Sequence, residues 1–309
     1  MRLGFVILIP ALVACAHFAT NAQVTFTATT SADVFVATGS TNNPAGTDLT
    51  GLNYGGAGTL VIAPAASAKG EFQSVLRFDL SGATNLFVQT YGTNWSISQI
   101  SLELTSNYGQ AGVQPNNPIF PVVSGGKFVI EWLASDDWLE GSGNPSVPTT
   151  DGLTFSMLPA LVSLGHEALC TNTYVPPGVN VHVTWSLPLQ SNLVADAANG
   201  GSVSFWFYAA DDQVTYLLNS YFYGRGNEPL IHVTAIPQLQ ILSGALTNGY
   251  FHLVGLGGPA ISYEVQANSD LATTNWQTLG SATADSAGIL QFDDTTASTQ
   301  TRRFYRLFK

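Results

Sequence analysis

The chain has 309 residues, of which 45% are hydrophobic and 9% charged, and its formal net charge is −11. Soluble proteins average about 25% charged residues, so a surface this poor in charge must consist mainly of Ser, Thr, Asn, Gln and Gly, which is typical of exported β-proteins. The negative charge repels phosphate backbones and argues against nucleic acid as a partner, and the length favours two domains.

The amino terminus has the pattern of a secretory signal. Arg2 precedes an apolar run over residues 3–14, and small residues follow up to Ala22. Residues 1–22 are therefore predicted to be a signal peptide of a protein that is secreted or displayed at the cell surface. An alternative stays open, because LVAC fits a bacterial lipobox in which an acylated Cys15 anchors a lipoprotein. No segment reaches the ~18 apolar residues that a membrane-spanning helix needs, so no transmembrane segment is predicted.

Short alternating runs, separated by turns rich in Gly, Pro and Asn, occupy the next two hundred or so residues, a spacing typical of sandwiches and barrels. The predicted strands are Val24–Thr29, Asp33–Ala37, Thr59–Ala63, Ser74–Asp79, Ile97–Thr105, Lys127–Trp132, Val179–Leu187, Val203–Ala209, Thr215–Tyr223 and Leu230–Thr234. Only Thr154–Leu164 is compatible with a short helix. The pattern predicts an all-β fold of sandwich or jelly-roll size.

The most distinctive stretch runs from Asn53 to Ser81. A glycine-rich turn, NYGGAG, leads into two strands. In the second strand Arg77 and Asp79 share the polar face, where they are predicted to pair.

Several later motifs follow this stretch in a familiar order. They are Trp138-Leu139-Glu140-Gly141, Val181-His182-Val183-Thr184, Phe222-Tyr223-Gly224-Arg225 and Pro229-Leu230-Ile231-His232-Val233. Together with the turn at Asn53 they resemble the DNRLRE-type domain, a jelly-roll β-sandwich of secreted bacterial proteins that is related to alginate-binding carbohydrate-binding modules. The resemblance covers residues 24–236, without the hexapeptide that gives the family its name. It implies a jelly roll that binds a polysaccharide.

The strand pattern restarts after Pro237, which predicts a first domain over residues 23–237 and a second over residues 238–309. The strands predicted for the second domain are Leu239–Leu242, Tyr250–Val254, Ile261–Gln266, Trp276–Leu279, Ile289–Phe292 and Arg303–Phe308. Six short strands predict a small immunoglobulin-like β-sandwich. With its ending RRFYRL, this tail resembles a short C-terminal module common at the ends of secreted bacterial proteins.

Signatures of catalysis and of metal binding are few. The sequence has no Gly-x-Ser-x-Gly elbow, no phosphate-binding glycine loop and no Cys-x-x-Cys pair, so no catalytic residue is assigned. The segment HEALC over residues 166–170 approaches a helical zinc motif but lies between turn residues, which predicts a loop with a buried thiol at Cys170. His182, His232 and His252 fall within strands and are predicted to be isolated, outward side chains.

Carboxylates cluster at Asp136, Asp137 and Glu140. A polysaccharide-degrading enzyme needs two carboxyl groups about 5–10 Å apart, so this cluster supports such an enzyme as a weaker alternative. The simpler interpretation is that these side chains brace turns of an acidic protein.

Aromatic residues in two late strands predict a ligand-binding face. In SVSFWFYAA, Phe205 and Phe207 share one face of the strand. Trp206 and Tyr208 share the other face, and Tyr216 follows in phase. Sugar rings stack on flat aromatic surfaces while polar neighbours bind their hydroxyls, so these three residues are predicted to bind carbohydrate. The alternative is that this face packs against the opposite sheet or a long loop.

Two further site predictions involve charge. Arg225 is the nearest predicted cation and would bind the carboxylate of an anionic sugar through paired hydrogen bonds. Asp33 and the turn at Asn53 are predicted to hold a structural calcium ion, because calcium takes oxygen ligands from carboxylates and carbonyls. The alternative is an aspartate that bonds to a turn backbone.

The patterns together predict an exported, non-catalytic protein whose jelly-roll domain binds a polysaccharide or cell-surface glycan. The main alternative is a structural or adhesive surface protein without a small ligand.

Overall fold

A computed structural model describes residues 23–91, 95–108, 110–223, 226–300 and 302–308. The structure is 47% strand and 13% helix, which confirms the all-β fold class. It forms two compact units, Gln23–Leu239 and the residues from Gln240 onward. None of the described helices is both long and apolar enough to cross a membrane. The predicted signal peptide, with Cys15, lies outside the described residues.

The described residues of the first unit form ten strands and three short helices. The strands are β1 (Val24–Ala37), β2 (Thr59–Ile62), β3 (Phe72–Asp79), β4 (Trp95–Tyr108), β5 (Gly126–Leu133), β6 (His166–Tyr174), β7 (His182–Leu187), β8 (Ser202–Ala209), β9 (Tyr216–Asn219) and β10 (Leu230–Pro237). The helices are α1 (Ser81–Tyr91), α2 (Leu158–Ser163) and α3 (Ser191–Asn199), with 3₁₀ turns at Phe155–Met157 and Tyr221–Tyr223.

Strand β1 belongs to both layers of the first unit. Its residues 24–29 pair with β10, and its residues 30–37 pair with β3. A register shift between Thr30 and Ala32 lets the strand bend from one sheet into the other. The first layer has the order β1–β10–β4–β7, and the second has the order β1–β3–β8–β5–β6. The end of β4 also pairs with β9, and β9 pairs with β2.

One hydrophobic cluster lies between the two layers and makes the unit a β-sandwich. Leu102 of β4 and Val233 of β10 enter this cluster from the first layer. Phe78 of β3 and Phe205 of β8 enter it from the second layer, with their rings 6.0 Å apart and edge to face. All four side chains are fully buried, and each burial stabilises the fold by roughly 1.5–3 kcal/mol.

The connection between β5 and β6, residues 134–165, folds over the outer face of the second layer; we name it the cover segment. Its apolar side chains form a second hydrophobic cluster with that face. The members from the cover segment are Trp138, Leu153, Leu158 and Leu161, and those from the sheet are Ala32, Val34, Val36, Val75 and Leu133. This half of the outer sheet face is therefore closed to solvent.

The fully buried side chain of Asn53 attaches the cover segment to the glycine-rich turn. Its Nδ2 donates to the carbonyl oxygens of Glu140, at 2.7 Å, and Leu153, at 2.9 Å. Its Oδ1 accepts from the N–H groups of Gly55, at 3.1 Å, and Gly143, at 3.2 Å. The carboxamide thus satisfies four backbone groups from three chain segments. A Cβ atom at Gly143 would overlap the backbone of Asn53, which explains the need for glycine there.

Arg77 makes a second attachment of the cover segment. One guanidinium nitrogen donates to the carbonyl oxygens of Asp136, at 2.7 Å, and Trp138, at 2.9 Å. The guanidinium also lies 5.0 Å from the centre of the Trp138 ring. The predicted pairing of Arg77 with Asp79 is therefore wrong, because Asp79 instead accepts a hydrogen bond from the N–H of Ser81 at the start of α1.

Several elements differ from their predictions. Residues 166–170 begin β6 and are not a loop, because they pair with β5. Cys170 is half-buried there and accepts a hydrogen bond from Asn172. Helices α1 and α3 were not predicted, because each is short, 11 and 9 residues, and buries only two side chains. The short helix predicted within Thr154–Leu164 is confirmed as a 3₁₀ turn followed by α2.

The second unit has six strands in two three-stranded antiparallel sheets. The strands are β11 (Gln240–Thr247), β12 (Tyr250–Leu256), β13 (Ser262–Asn268), β14 (Gln277–Thr283), β15 (Ile289–Asp294) and β16 (Phe304–Phe308). The sheet orders are β11–β12–β15 and β14–β13–β16. Leu253, Val265 and Leu290 are buried, and the buried carboxylate of Asp294 accepts hydrogen bonds from Arg303 and other neighbours.

We expect Asn53→Ala to destabilise the first unit by about 3 kcal/mol or more, since it leaves several buried backbone groups without partners. Asn219→Ala is the matched control: Asn219 is equally buried, and neither polar atom of its side chain has a hydrogen-bond partner among the described residues. Denaturant unfolding of the full chain measures both changes. Equal losses of stability would contradict the role given to the Asn53 carboxamide.

Candidate functional site

Two aromatic rings lie against each other on the outer face of the second layer. Trp206 and Tyr208 of β8 are half-buried there, with ring centres 4.4 Å apart and planes tilted by 36°. Phe205 and Phe207 of the same strand point to the opposite face and are fully buried in the central cluster. The strand alternation therefore assigns each of these four rings to the predicted face.

The polar atoms of both rings are held by neighbouring strands. Trp206 Nε1 donates to Gln73 Oε1 of β3 at 2.7 Å, and the Tyr208 hydroxyl donates to Glu131 Oε1 of β5 at 2.6 Å. The other oxygen of Glu131 lies 2.6 Å from Nδ1 of His166 in β6. We name these five residues the aromatic platform. Burial, followed by the hydrogen bond to Glu131, raises the pKa of Tyr208, so its hydroxyl stays a donor.

The aromatic platform adjoins the cover segment. Trp206 packs against the outer hydrophobic cluster that the segment closes. The next row of the sheet, with Ser204, lies under the segment, where Trp138 Nε1 donates to Ser204 Oγ at 3.0 Å. The alternative interpretation was that this face packs against a long loop. The sheet face does so at Ser204 and along one side of Trp206.

Charge around the aromatic platform is mainly negative. Glu131 is buried on the strand next to the rings, and Glu71 accepts a hydrogen bond from Gln73 Nε2 at 2.5 Å. Of the basic side chains on this sheet face, Arg77 is committed to carbonyl oxygens of the cover segment. Lys127, in phase with Glu131 on β5, is exposed beside Asp211. Exposed parts of aromatic rings, with carboxylate, carboxamide and imidazole groups beside them, can pack against a sugar ring and bind its hydroxyls, whereas the carboxylates would repel a sugar carboxylate.

Tyr216 does not belong to the aromatic platform, and its predicted position is wrong. Its side chain is fully buried between the layers, with its ring stacked 3.9 Å from that of Tyr174. The reason is strand pairing: β9 lies between β2 and β4, so its phase is unrelated to that of β8. Arg225, the predicted cation, lies outside the described residues.

The calcium site proposed at Asp33 and the turn at Asn53 stays a prediction, although several of its oxygen atoms have protein partners; Asp33 Oδ1 is buried without a hydrogen-bond partner among the described residues. The side-chain oxygen of Asn53 is used by two backbone N–H groups. Asp33 Oδ2 accepts from the N–H of Tyr221 at 2.7 Å and from the hydroxyl of Thr30 at 3.1 Å. Across the described residues, no group of three or more acidic, histidine or cysteine side chains is arranged to hold a metal ion. Through Oδ2, Asp33 bonds to the backbone of the turn at Tyr221.

The predicted carboxylate cluster joins the cover segment to the sheet. Asp136 Oδ1 accepts from Ser204 Oγ at 2.6 Å, and Glu140 Oε1 accepts from the N–H of Asp33 at 2.9 Å. Burial raises the pKa of both Asp136 and Glu140. Asp137, by contrast, accepts nothing from these partners; its own N–H donates to Ser135 Oγ. These contacts support turn bracing, the simpler of the two interpretations.

The histidines are not isolated, contrary to the prediction. His182 Nδ1 and His232 Nε2 lie 2.7 Å and 3.3 Å from the two carboxylate oxygens of Glu103 on the outer face of the first layer. His252 Nδ1 lies 2.6 Å from Asp293 Oδ1 in the second unit. Alternation places each ring outward, but the acidic partners come from neighbouring strands that the sequence does not identify.

Sequence reasoning missed Gln73, Glu131 and His166, which come from three strands other than β8. One signal was available: Glu131 interrupts the apolar run FVIEWL of β5, and a buried acid in such a run requires polar partners. The partners themselves depend on strand order, which a single sequence does not reveal.

No family model matches this chain, and no curated protein matches it.

Burial raises the pKa of Asp33 to about 7, even though the N–H of Tyr221 stabilises its ionised form. An unfolded aspartate ionises near pH 4. Between about pH 4 and pH 7 the folded state therefore binds the extra proton, and Asp33 makes stability fall as the pH rises through this window. We expect Asp33→Asn, which resembles the protonated form, to gain stability relative to the wild type as the pH rises from 4 to 7, measured by denaturant unfolding. A difference between the two proteins that does not change with pH would contradict this.

Proposed function

We propose that the first unit binds neutral carbohydrate on the aromatic platform. The observation that carries the proposal is the pair of fixed rings, Trp206 and Tyr208, on the outward phase of a central strand. Their polar atoms are already bonded to Gln73 and Glu131, so the rings need little further ordering when a ligand stacks on them.

A neutral ligand suits the charges better than an anionic one. The carboxylate of Glu131 accepts from Tyr208 and that of Glu71 from Gln73, while Arg77 is engaged elsewhere and Lys127 lies beside Asp211. A uronate would meet repulsion and lose the hydration of its carboxylate without a compensating cation among the described residues of the platform. The proposal therefore keeps the glycan-binding function that the resemblance implies, and departs from alginate-like specificity.

The proposed setting is the cell exterior. The amino-terminal signal pattern and the low charge content support export, and the resemblance to DNRLRE-type domains supports a role on secreted or surface polysaccharide. The second unit is proposed as an accessory module that serves display or spacing. If no sugar binds, the alternative of a structural or adhesive protein without a glycan ligand is favoured.

We expect Trp206→Ala to weaken binding of neutral hexasaccharides by more than tenfold in calorimetry, because loss of an aromatic anchor commonly costs about 2 kcal/mol. The probes are cellohexaose, xylohexaose, mannohexaose and laminarihexaose, with hexaguluronate as the anionic comparison. Wild-type protein is expected to favour at least one neutral probe over hexaguluronate.

Trp132→Ala is the matched control for this experiment. Trp132 is also half-buried, but it packs on the inner cluster, and its Nε1 donates to Asp196 at 3.0 Å. This variant is expected to lose a comparable amount of stability and to bind as the wild type does. Equal losses of binding in the two variants, or no binding of any neutral probe by the wild type, would refute the proposal.

A further inference from the structure

A groove of about 560 Å³ lies elsewhere in the first unit and shares no residue with the aromatic platform. It forms where the end of β4, the loop after it, the cover segment and the 3₁₀ turn Tyr221–Tyr223 come together. The residues that matter most in its lining are Asn107, Asn116, Asn117, Asn144 and Phe222.

Three of the four asparagines use only one end of their carboxamide inside the protein. Asn107 Nδ2 donates to Thr59 Oγ1 at 2.9 Å, which leaves its Oδ1 for a ligand. Asn117 Oδ1 accepts from the N–H of Ile119, and Asn144 Oδ1 accepts from backbone N–H groups of its own turn. Each of these two keeps its Nδ2 for a ligand, so the groove presents both donors and an acceptor.

Asn116 adds a fourth carboxamide. Its backbone N–H donates to the Tyr108 hydroxyl at 3.3 Å, while its exposed side chain makes no hydrogen bond within the described part of the chain. The groove therefore contains several neutral hydrogen-bonding groups that make no hydrogen bond within the described part of the chain.

Phe222 supplies an apolar surface beside these groups. Its side chain is 55% exposed, although Phe205 and Phe207 show that the unit has room for phenylalanine in its core. Exposed aromatic rings next to several polar groups that converge on one space are typical of ligand sites.

Among the described residues, the lining contains no charged side chain, in a chain whose formal net charge is −11. A divalent cation would need carboxylates, and an anion would need a cation or a cluster of N–H groups, so neither suits the described lining. An apolar peptide would leave the carboxamides without partners. A neutral ligand rich in hydroxyl groups satisfies the donors and the acceptor and stacks on the ring.

We propose that this groove is a second binding site of the first unit, and that its ligand is a neutral oligosaccharide. The proposal goes beyond the function assigned to the aromatic platform, because its residues are different and either site can exist without the other. A polysaccharide that engages both sites would be held more tightly than by one of them.

The test uses the full chain carrying Trp206→Ala, so that binding at the aromatic platform is removed. Side-chain NMR signals of the groove asparagines are followed while cellohexaose, xylohexaose, mannohexaose and laminarihexaose are added one at a time. We expect at least one of these probes to shift the signals of Asn107, Asn116 and Asn144 in a saturable manner. The absence of any shift with all four probes would overturn the proposal, whatever the result at the platform.

The groove variant for this test is Phe222→Ala in the same background. Loss of the exposed ring is expected to weaken binding of the hexasaccharide that shifts the asparagine signals by more than tenfold, while the protein stays folded. Tyr250→Ala is the matched control, because Tyr250 is a similarly exposed aromatic residue, at 48%, in the second unit. Wild-type-like affinity in Phe222→Ala, or an equal loss in Tyr250→Ala, would also overturn the proposal.

Discussion

The structure of the first unit depends on one carboxamide. Asn53 satisfies four buried backbone groups of the glycine-rich turn and the cover segment, and no other neutral side chain of its size offers two donors and an acceptor that can take two bonds. Because irregular backbone is costly to bury without partners, the cover segment can close half of a sheet face only where such groups are satisfied. Arg77 of β3 donates a further hydrogen bond to the cover segment, and Glu140 of that segment accepts one from the N–H of Asp33 in β1.

This attachment determines where ligands can reach the sheet. The cover segment reaches as far as Trp206 on the outer sheet face. The half of the face under the segment is buried, and the adjacent half carries the aromatic platform. The same segment contributes Asn144 to the groove. Both proposed sites thus adjoin the cover segment. Both have few or no basic groups among their described residues, which is why neutral glycans suit this acidic chain better than uronates do.

The sequence was most informative where a property is local. Alternation in β8 predicted the faces of Phe205 and Trp206, because side-chain direction in a strand has a period of two whatever the neighbours are. Strand pairing is not local, and this explains the error at Tyr216, whose strand joins β2 and β4. Asn53 belongs to a turn that the sequence marks as unusual, but its partners in the cover segment lie about ninety residues away in the chain, so its role in bracing the fold could not be predicted.

The most direct test of a glycan on the aromatic platform compares the chemical reactivity of two half-buried tryptophans on opposite faces of one sheet, Trp206 and Trp132. Oxidation of the full chain with N-bromosuccinimide, followed by peptide mass spectrometry, gives the rate at each indole with and without a saturating neutral hexasaccharide. If the sugar stacks on the platform, it slows the oxidation of Trp206 and leaves the rate at Trp132 unchanged. A bound sugar that protects neither indole, or both to the same extent, would contradict the assignment of carbohydrate binding to this face.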